Sequence, residues 1–370
     1  MTDNQRKILQ VYYEPRISGI TRHIGDFIPP LQKRGFSFEV LCSTDDKRIA
    51  DLYNAYNVKT HIAPPSRIFS FRGARQIARL LNTGEFGIVH IHNLQSLVWA
   101  SIPSIKRQGV KFIFTPQVIE FENKIVENIF HIVWRSLSGL TARIIALSEK
   151  QKQILTDKKI APPEKIGIIP NSIPPFEIEE GRPEDLQEKF GNEQFIIAVM
   201  RLVSQKAPER ILNIAEKVCA DFPDVRFYIV GEGPLKKDLE TAINSREMLR
   251  GKVRLLGYRN DALRLLSESL FLISTARWEG MPYSLLEALF IGKPIVASDI
   301  IGHHPLVIEG ETGFLAKTDD EFADQAAMLL NNRLKRDLFS RRAKRFFQER
   351  FAFDDFIDRM ETLYNGLLNE

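Results

Sequence analysis

Short apolar runs alternate with helix-length amphipathic segments along almost the whole chain. The alternation breaks once, at a proline-rich stretch near the middle, and then starts again. The first series reads ILQVYY, a helix around 20–34, FSFEVLC, a helix near 46–56, KTHIA, a basic helix at 71–82, GIVHIH, KFIFTP, a helix at about 124–139 and RIIALS. Pro170, Pro174, Pro175 and Pro183 then gather among acidic residues in IGIIPNSIPPFEIEEGRP, which suits a linker. The second series runs FIIAVM, helix 208–221, VRFYIVG, helix 234–249, KVRLLG, helix 260–268, LFLIS, helix 283–291 and PIVAS. Helices at about 320–331 and through RRAKRFFQER follow. Such alternation is the mark of parallel sheets covered by helices on both faces. The expected fold class is therefore α/β, with two Rossmann-like doubly wound domains facing across a cleft.

The expected boundaries are 1–172 for the first domain and 173–352 for the second. A closing amphipathic helix is expected over 353–370, with Phe353, Phe356, Met360, Leu363, Tyr364 and Leu367 at helical spacing. With 370 residues and 44% hydrophobic content there is enough apolar surface for two cores. A formal charge of +4 is too small a surplus to indicate nucleic acid, and no nucleic-acid partner is expected. It is compatible with anionic small molecules or an anionic membrane surface. Cys42 and Cys219 sit in apolar surroundings without metal spacing and read as packed thiols in a reducing compartment. The charged start MTDNQRK leads straight into a strand, and no apolar run has bilayer-crossing length. A cytoplasmic protein is expected, at most peripheral at the inner membrane face.

The chemistry concentrates in Glu279 to Ser298, EGMPYSLLEALFIGKPIVAS. Glu287 is the only charged side chain between Met281 and Lys293, flanked by Leu285, Leu286, Ala288, Leu289, Phe290 and Ile291. A carboxylate there needs partners, because burying an unpaired charge is very costly. An arginine from a neighbouring element would serve; so would sugar hydroxyls. Gly280 and Pro282 lead into a helix starting near Tyr283 or Ser284, whose free N–H groups and positive dipole end could hold phosphate.

Other segments offer weaker signals. Arg201 and Lys206 follow the strand FIIAVM and could hold a diphosphate, or could be a solvated pair in a polar loop. VRFYIVGEGP ends a strand with Gly231, Gly233 and Pro234; this reads as a strand-to-helix turn in which Gly231 allows close approach, and it does not match the full dinucleotide fingerprint. Ser18 and Gly19 fall in the loop after the first strand, where backbone N–H groups could touch phosphate. His90 and His92 share a strand face; His92, at the strand's C-terminal end, is the one expected to meet a ligand, and neither has companion metal ligands.

Taken together and in this order, SGITRHI, GIVHIHN, RIIALSE, IIPNSI, RLVSQK, VGEGP, LLGY, EGMPYSLLEALFIGKPIVAS and VIEGETGFL resemble the retaining glycosyltransferases of family 4, with the two-domain GT-B fold. By that resemblance Glu287 would bind the ribose hydroxyls of a nucleotide diphosphate sugar, and Arg201 with Lys206 would hold its phosphates. Glu279 and the backbone of Gly280, Met281, Pro282 and Tyr283 would address the transferred hexose, with Ser284 and Leu285 at the helix start also binding the donor. Tyr258 and Arg259 would flank the base, Gly19 would approach the diphosphate, and His92 would lie near sugar and acceptor. The resemblance implies a UDP- or GDP-sugar donor, a glycan, lipid-linked or small-molecule acceptor, and no cofactor or metal. It also implies that the final helix crosses back onto the first domain.

The chain departs from the family at Thr115-Pro116-Gln117, where a His and an acidic or small residue are usual, at Ala207, usually Gly, and at Ile301, Gly302, His303 and His304, which replace a two-glycine segment. A nucleotide-sugar epimerase on the same scaffold and a noncatalytic sugar-nucleotide sensor are the competing readings. Finally, RIFSFRGARQIARLL sets Phe71, Ala74, Ile77, Ala78 and Leu81 on one stripe, with Arg72, Arg75 and Arg79 off it. The arginines form either a solvated basic face or, with Arg67, an attraction to anionic lipid.

Overall fold

The computed structural model describes residues 6–13, 19–43, 46–63, 71–106, 109–120, 124–178, 181, 183–191 and 193–370. Two compact units emerge: Met1–Pro174 together with Phe353–Glu370, and Pro175–Ala352.

Unit 1 holds strands β1 (Lys7–Tyr12), β2 (Ser37–Cys42), β3 (Lys59–Ile62), β4 (Phe86–Ile91), β5 (Lys111–Phe114), β6 (Arg143–Ala146) and β7 (Ile166–Ile168). They form a seven-stranded sheet in the order β3-β2-β1-β4-β5-β6-β7, and every pairing is parallel. Side chains alternate strictly across it. Ile8, Tyr12, Ile88, Ile113 and Ile145 face α1 (Gly19–Lys33) and α2 (Lys47–Asn54). Their neighbours Leu9, Val11, Val89, Phe112, Phe114 and Ile144 face the layer of α3 (Phe71–Leu81), α4 (Leu94–Lys106), α5 (Lys124–Ser138) and α6 (Glu149–Asp157).

Unit 2 repeats the plan. After α7 (Glu184–Phe190), strands β8 (Phe195–Val199), β9 (Arg226–Val230), β10 (Val253–Gly257), β11 (Leu272–Ser274), β12 (Ile295–Ser298) and β13 (Gly313–Ala316) pair in parallel in the order β10-β9-β8-β11-β12-β13. Helices α8 (Pro208–Asp221), α9 (Lys236–Ser245), α10 (Ala262–Glu268), α11 (Tyr283–Ile291), α12 (Asp319–Asn331) and α13 (Arg333–Arg350) connect and follow them. The last helix, α14 (Phe353–Asn369), buries Phe356, Ile357, Met360, Tyr364 and Leu367 in the core of unit 1. Each such side chain contributes about 1.5–3 kcal/mol. Arg34 adds hydrogen bonds of 2.6 Å to both Asp358 and Glu361.

Some elements escape the sequence reading. LQSLVWASIPSIK is apolar nearly all round, so α4 shows little periodicity; β7 has three residues and opens the stretch read as linker, and α7 follows directly after it. The helix expected over 234–249 is shorter: α9 ends at Ser245 and a 3-10 turn covers Glu247–Leu249. In each sheet the strand order reverses once, between β1 and β4 and between β8 and β11. Beyond the C-terminal ends of the strands at such a point, the loops diverge and leave a crevice.

Candidate active site

In unit 2 the loops that follow β8 and β11 carry most of the expected donor-binding residues. After β8 the chain passes Met200 and half-buried Arg201, then makes a 3-10 turn over Ser204–Lys206. Ala207 follows at φ 45° and ψ 52°, a left-handed conformation that costs a non-glycine residue about 1–2 kcal/mol. Pro208 then starts α8. The strained turn is held from below: the Thr275 hydroxyl, just past β11, lies 3.1 Å from the Lys206 carbonyl oxygen and 3.0 Å from that of Ala207. Gln205 is stitched to the same neighbour, donating from Nε2 to the Trp278 carbonyl at 3.0 Å while its own carbonyl accepts from the Arg277 N–H at 2.9 Å.

This scaffold aims the Lys206 ammonium at the Glu279 carboxylate, and the two form a largely buried ion pair. From Gly280 the backbone runs through buried Met281 and Pro282 into α11. Pro282 occupies the N-cap and gives no side-chain cap, so the first-turn N–H groups depend on other acceptors. Tyr283, Leu285 and Glu287 are buried and Ser284 is half-buried. Gly292, at φ 83°, closes the helix; its N–H donates to the Ala288 and Leu289 carbonyls.

His303, singled out in the sequence only as part of a departure, belongs to this site. It is fully buried; Nδ1–H donates to the Ser298 carbonyl at 2.9 Å, and Nε2 lies 3.5 Å from the Ser274 hydroxyl. Burial pushes its pKa down to about 4, against the opposing pull of the Glu279 charge. Just before it, Gly302 is required by packing, since a Cβ there would stand 2.3 Å from the Glu279 carbonyl oxygen. No sequence pattern announces that contact, which joins loops 23 residues apart by direct backbone approach.

Gly231 also has a packing reason. At φ 135°, a Cβ on it would come within 1.9 Å of the Met200 carbonyl oxygen, and one on Gly233 within 2.3 Å of that of Leu202. These glycines let the loop after β9 lie flat against the loop carrying Arg201. Tyr258 and Arg259 stand apart from this group, after β10 at the edge of the sheet. Tyr258 is 58% exposed. Arg259 is gripped by Asp185 at 2.8 and 2.9 Å and Asp261 at 2.7 and 2.6 Å, hydrogen bonds that raise its already high pKa.

In unit 1 the switch between β1 and β4 brings Gly19 and His92 to the same sheet edge; Ser18 lies outside the described residues. A Cβ on Gly19 would meet nothing within 4 Å, so packing does not demand a glycine at the start of α1. His92 is fully buried. Its Nε2–H donates to Gln10 Oε1 at 2.7 Å, and its Nδ1 is a buried acceptor with no hydrogen bond among the described residues. Gln10 in turn donates to the Tyr364 hydroxyl at 3.2 Å, and His90 bridges that hydroxyl at 2.8 Å and Thr115 at 2.7 Å. Burial holds both imidazoles neutral, with the pKa of His90 pushed down to about 3 and that of His92 well below its ordinary value. Among the described residues no three His, Cys, Asp or Glu side chains gather as a metal-binding group.

Comparison with known proteins identifies the scaffold. The model for glycosyl transferases group 1 matches residues 183–346, and that for glycosyltransferase family 4 matches residues 17–175. The chain belongs to glycosyltransferase family 4. This glycosyltransferase is 26% identical, over 98% of its length and 97% of the relative's, to the UDP-Gal:alpha-D-GlcNAc-diphosphoundecaprenol alpha-1,3-galactosyltransferase of Escherichia coli. It is 22% identical, over 97% of its length and 80% of the relative's, to the phosphatidylinositol N-acetylglucosaminyltransferase gpi3 subunit of Schizosaccharomyces pombe. Its fold is GT-B, as in HepE of Anabaena in complex with UDP-glucose, which superposes with a TM-score of 0.80 at 20% identity, covering 97% of this chain and 99% of that one.

Proposed function

We propose that this glycosyltransferase moves a hexose-type sugar from a uridine or guanosine diphosphate donor to the hydroxyl of a glycan, lipid-linked or small-molecule acceptor, with retention and without a metal. The observation that carries the reading is the convergence of Arg201, Lys206, Glu279 and the uncapped start of α11 on one switch point of one sheet. The family relatives add weight: by name, the Escherichia coli protein uses UDP-Gal and a diphosphoundecaprenol-borne acceptor, and the fission yeast protein is a subunit of a phosphatidylinositol N-acetylglucosaminyltransferase. Those names favour an acceptor carried on lipid.

In the proposed step the bond between the sugar's anomeric carbon and the diphosphate oxygen breaks as the acceptor oxygen bonds to the same face of that carbon. The acceptor proton passes to the departing diphosphate, so no enzyme nucleophile is required. Lys206, Arg201 and the N–H groups at the start of α11 stabilise the charge that builds on the leaving group. Glu279 positions Lys206 and addresses the hexose, and Glu287 binds the ribose hydroxyls. In unit 1, Gly19 leaves room for the diphosphate, and the neutral Nδ1 of His92 is the group expected to serve the sugar or acceptor.

The exposed arginines of α3, Arg72, Arg75 and Arg79, support peripheral association with an anionic membrane; Arg67 lies outside the described residues. Among the described residues, no helix is long and apolar enough to cross a bilayer.

Proton NMR of freshly made product tests the mechanism: retention of the donor's anomeric configuration is expected, and an inverted linkage would remove the retaining assignment. Turnover of donor without any acceptor would instead favour the epimerase, and nucleotide-sugar binding with no turnover at all would favour the sensor.

A further inference from the structure

A row of polar side chains crosses the core of unit 1. Gln10 lies on the same strand face as Ile8 and Tyr12, His90 and His92 follow Ile88, and Thr115 follows Ile113, all beneath Tyr364 of α14 or beside it. All five polar residues are buried. Aliphatic side chains would fill such a layer at less cost, because each polar group taken from water must find a hydrogen-bond partner.

The bonds of this row have a direction. Gln10 Nε2 donates to the Tyr364 hydroxyl oxygen at 3.2 Å, which turns Gln10 Oε1 towards His92 Nε2 at 2.7 Å. An amide oxygen only accepts, so that nitrogen carries a proton. The Tyr364 hydrogen goes to His90 Nδ1 at 2.8 Å, since Gln10 Nε2 has no lone pair to offer, and His90 then donates from Nε2 to Thr115 Oγ1 at 2.7 Å. Burial keeps both imidazoles neutral, so the proton on His92 Nε2 leaves Nδ1 as a lone pair. That lone pair is the loose end: it is buried and has no hydrogen bond among the described residues. His92 follows β4 at the switch point of the sheet, its backbone N–H bonded to the Val11 carbonyl at 3.0 Å and its ring 6.2 Å from that of His23 on α1.

We infer that Tyr364 is a positioning residue: through Gln10 it fixes His92 in the Nε2–H tautomer, so that Nδ1 accepts a hydrogen bond from a sugar hydroxyl. This deepens the proposed function and rests on its use of His92. The tautomer selects the ligand's chemistry. A bare imidazole nitrogen takes a hydroxyl donor and turns away an ionised phosphate or carboxylate oxygen, whereas the opposite tautomer would offer an N–H to those anions. A residue of the last helix thereby decides what a histidine of the fourth strand can recognise.

Long-range proton–nitrogen correlation spectra of the full chain with isotope-labelled histidine rings test this, the His92 signals being those lost in His92→Gln. The wild type should show His92 protonated on Nε2 alone. Tyr364→Phe keeps the ring and removes only its oxygen; the Gln10 amide then has no acceptor beneath α14 and no preferred orientation, so the Nδ1–H form should appear beside the Nε2–H form. Turnover of a nucleotide sugar should fall roughly tenfold, the scale of one hydrogen bond, with affinity for UDP or GDP unchanged. Gln10→Met removes the bridge itself and should mix the tautomers in the same way. Phe36→Leu loosens the packing around Tyr364, whose ring centroid lies 5.7 Å from that of Phe36, without touching the hydroxyl. It should lower the thermal transition and leave tautomer and turnover as in the wild type.

A wild type protonated on His92 Nδ1 would overturn the inference, as would a Tyr364→Phe protein with the tautomer unchanged or with the tautomer mixed and turnover intact. A mixed tautomer in Phe36→Leu would make packing the cause and overturn it too. The hydroxyl's source is read in the same spectra. A His92 Nδ1 signal moved by UDP-glucose, UDP-galactose or GDP-mannose, but not by UDP or GDP, puts it on the transferred sugar; a signal that these leave in place, with turnover still lost in Tyr364→Phe, puts it on the acceptor. The tautomer is measured on the free protein, so absence of any thermal shift with nucleotide sugars would count against the transferase reading and not against the link from Tyr364 to His92.

Discussion

Lys206 and Glu279 stand 73 residues apart in sequence, on loops from neighbouring strands β8 and β11, and their charges pair with side chains only 17% and 9% exposed. The pair couples the two loops that flank the switch point of unit 2. It also keeps a cation at the site without leaving either charge uncompensated.

Removing one partner should therefore be felt twice. Lys206→Ala leaves the Glu279 carboxylate buried alone and should destabilise the protein by about 3 kcal/mol, where Lys206→Met with Glu279→Gln should recover most of that loss. Activity should fall in both, with kcat affected more than donor affinity because the lysine acts on the departing diphosphate. Denaturant unfolding and steady-state kinetics on the same samples check this, and a double variant with normal kcat would contradict the assigned role.

Glu287→Ala should weaken nucleotide-sugar binding by about tenfold or more, the loss of charge-assisted hydrogen bonds to two hydroxyls. Isothermal titration with the donor reads it directly. In the same assays, prior treatment with a chelator should leave turnover unchanged; a strict requirement for added divalent metal would remove the metal-free mechanism.

Two glycines should behave in opposite ways. Gly231→Ala forces a Cβ into the Met200 carbonyl and should cost several kcal/mol, on the order of other severe backbone substitutions. Gly19→Ala meets open space at the start of α1, so its thermal transition should hold while donor affinity falls if the diphosphate comes close to that backbone. A stable Gly231→Ala protein, or Gly19→Ala kinetics identical to wild type, would contradict these readings.

Acid should weaken the protein through its buried histidines. His23 and His90 are pushed down to about 3 by burial, below an unfolded value near 6.5. The unfolded chain therefore takes up protons that the folded one refuses. Their contribution is complete above pH 6.5 and declines as the pH falls towards 3, by about 1.4 kcal/mol per pH unit for each histidine. Urea midpoints should drop between pH 7 and pH 5, and His90→Asn should flatten that slope. A midpoint independent of pH would refute the account.

The sequence by itself determined the two α/β series, the strand that ends before Arg201, and α11 with its bounds at Tyr283 and Ile291, because hydrophobic periodicity and Gly and Pro punctuation are local properties. Those same local rules, joined to family resemblance, were enough to bring forward Lys206, Glu279 and Glu287. They were silent on α4, whose apolar surroundings erase its periodicity, and on α7 and β7, too short to carry a pattern. Tertiary structure alone decided the strand orders that set the loops after β8 and β11 side by side, the pairing of Lys206 with Glu279, and the closure of Asp185 on Arg259. It also brought His303 within electrostatic reach of Glu279 and gave Gly231, Gly233 and Gly302 their reason, which is the close approach of another backbone. Which side chains are buried follows from periodicity along the chain; which of them meet depends on long-range strand order, and no local window of sequence contains that information.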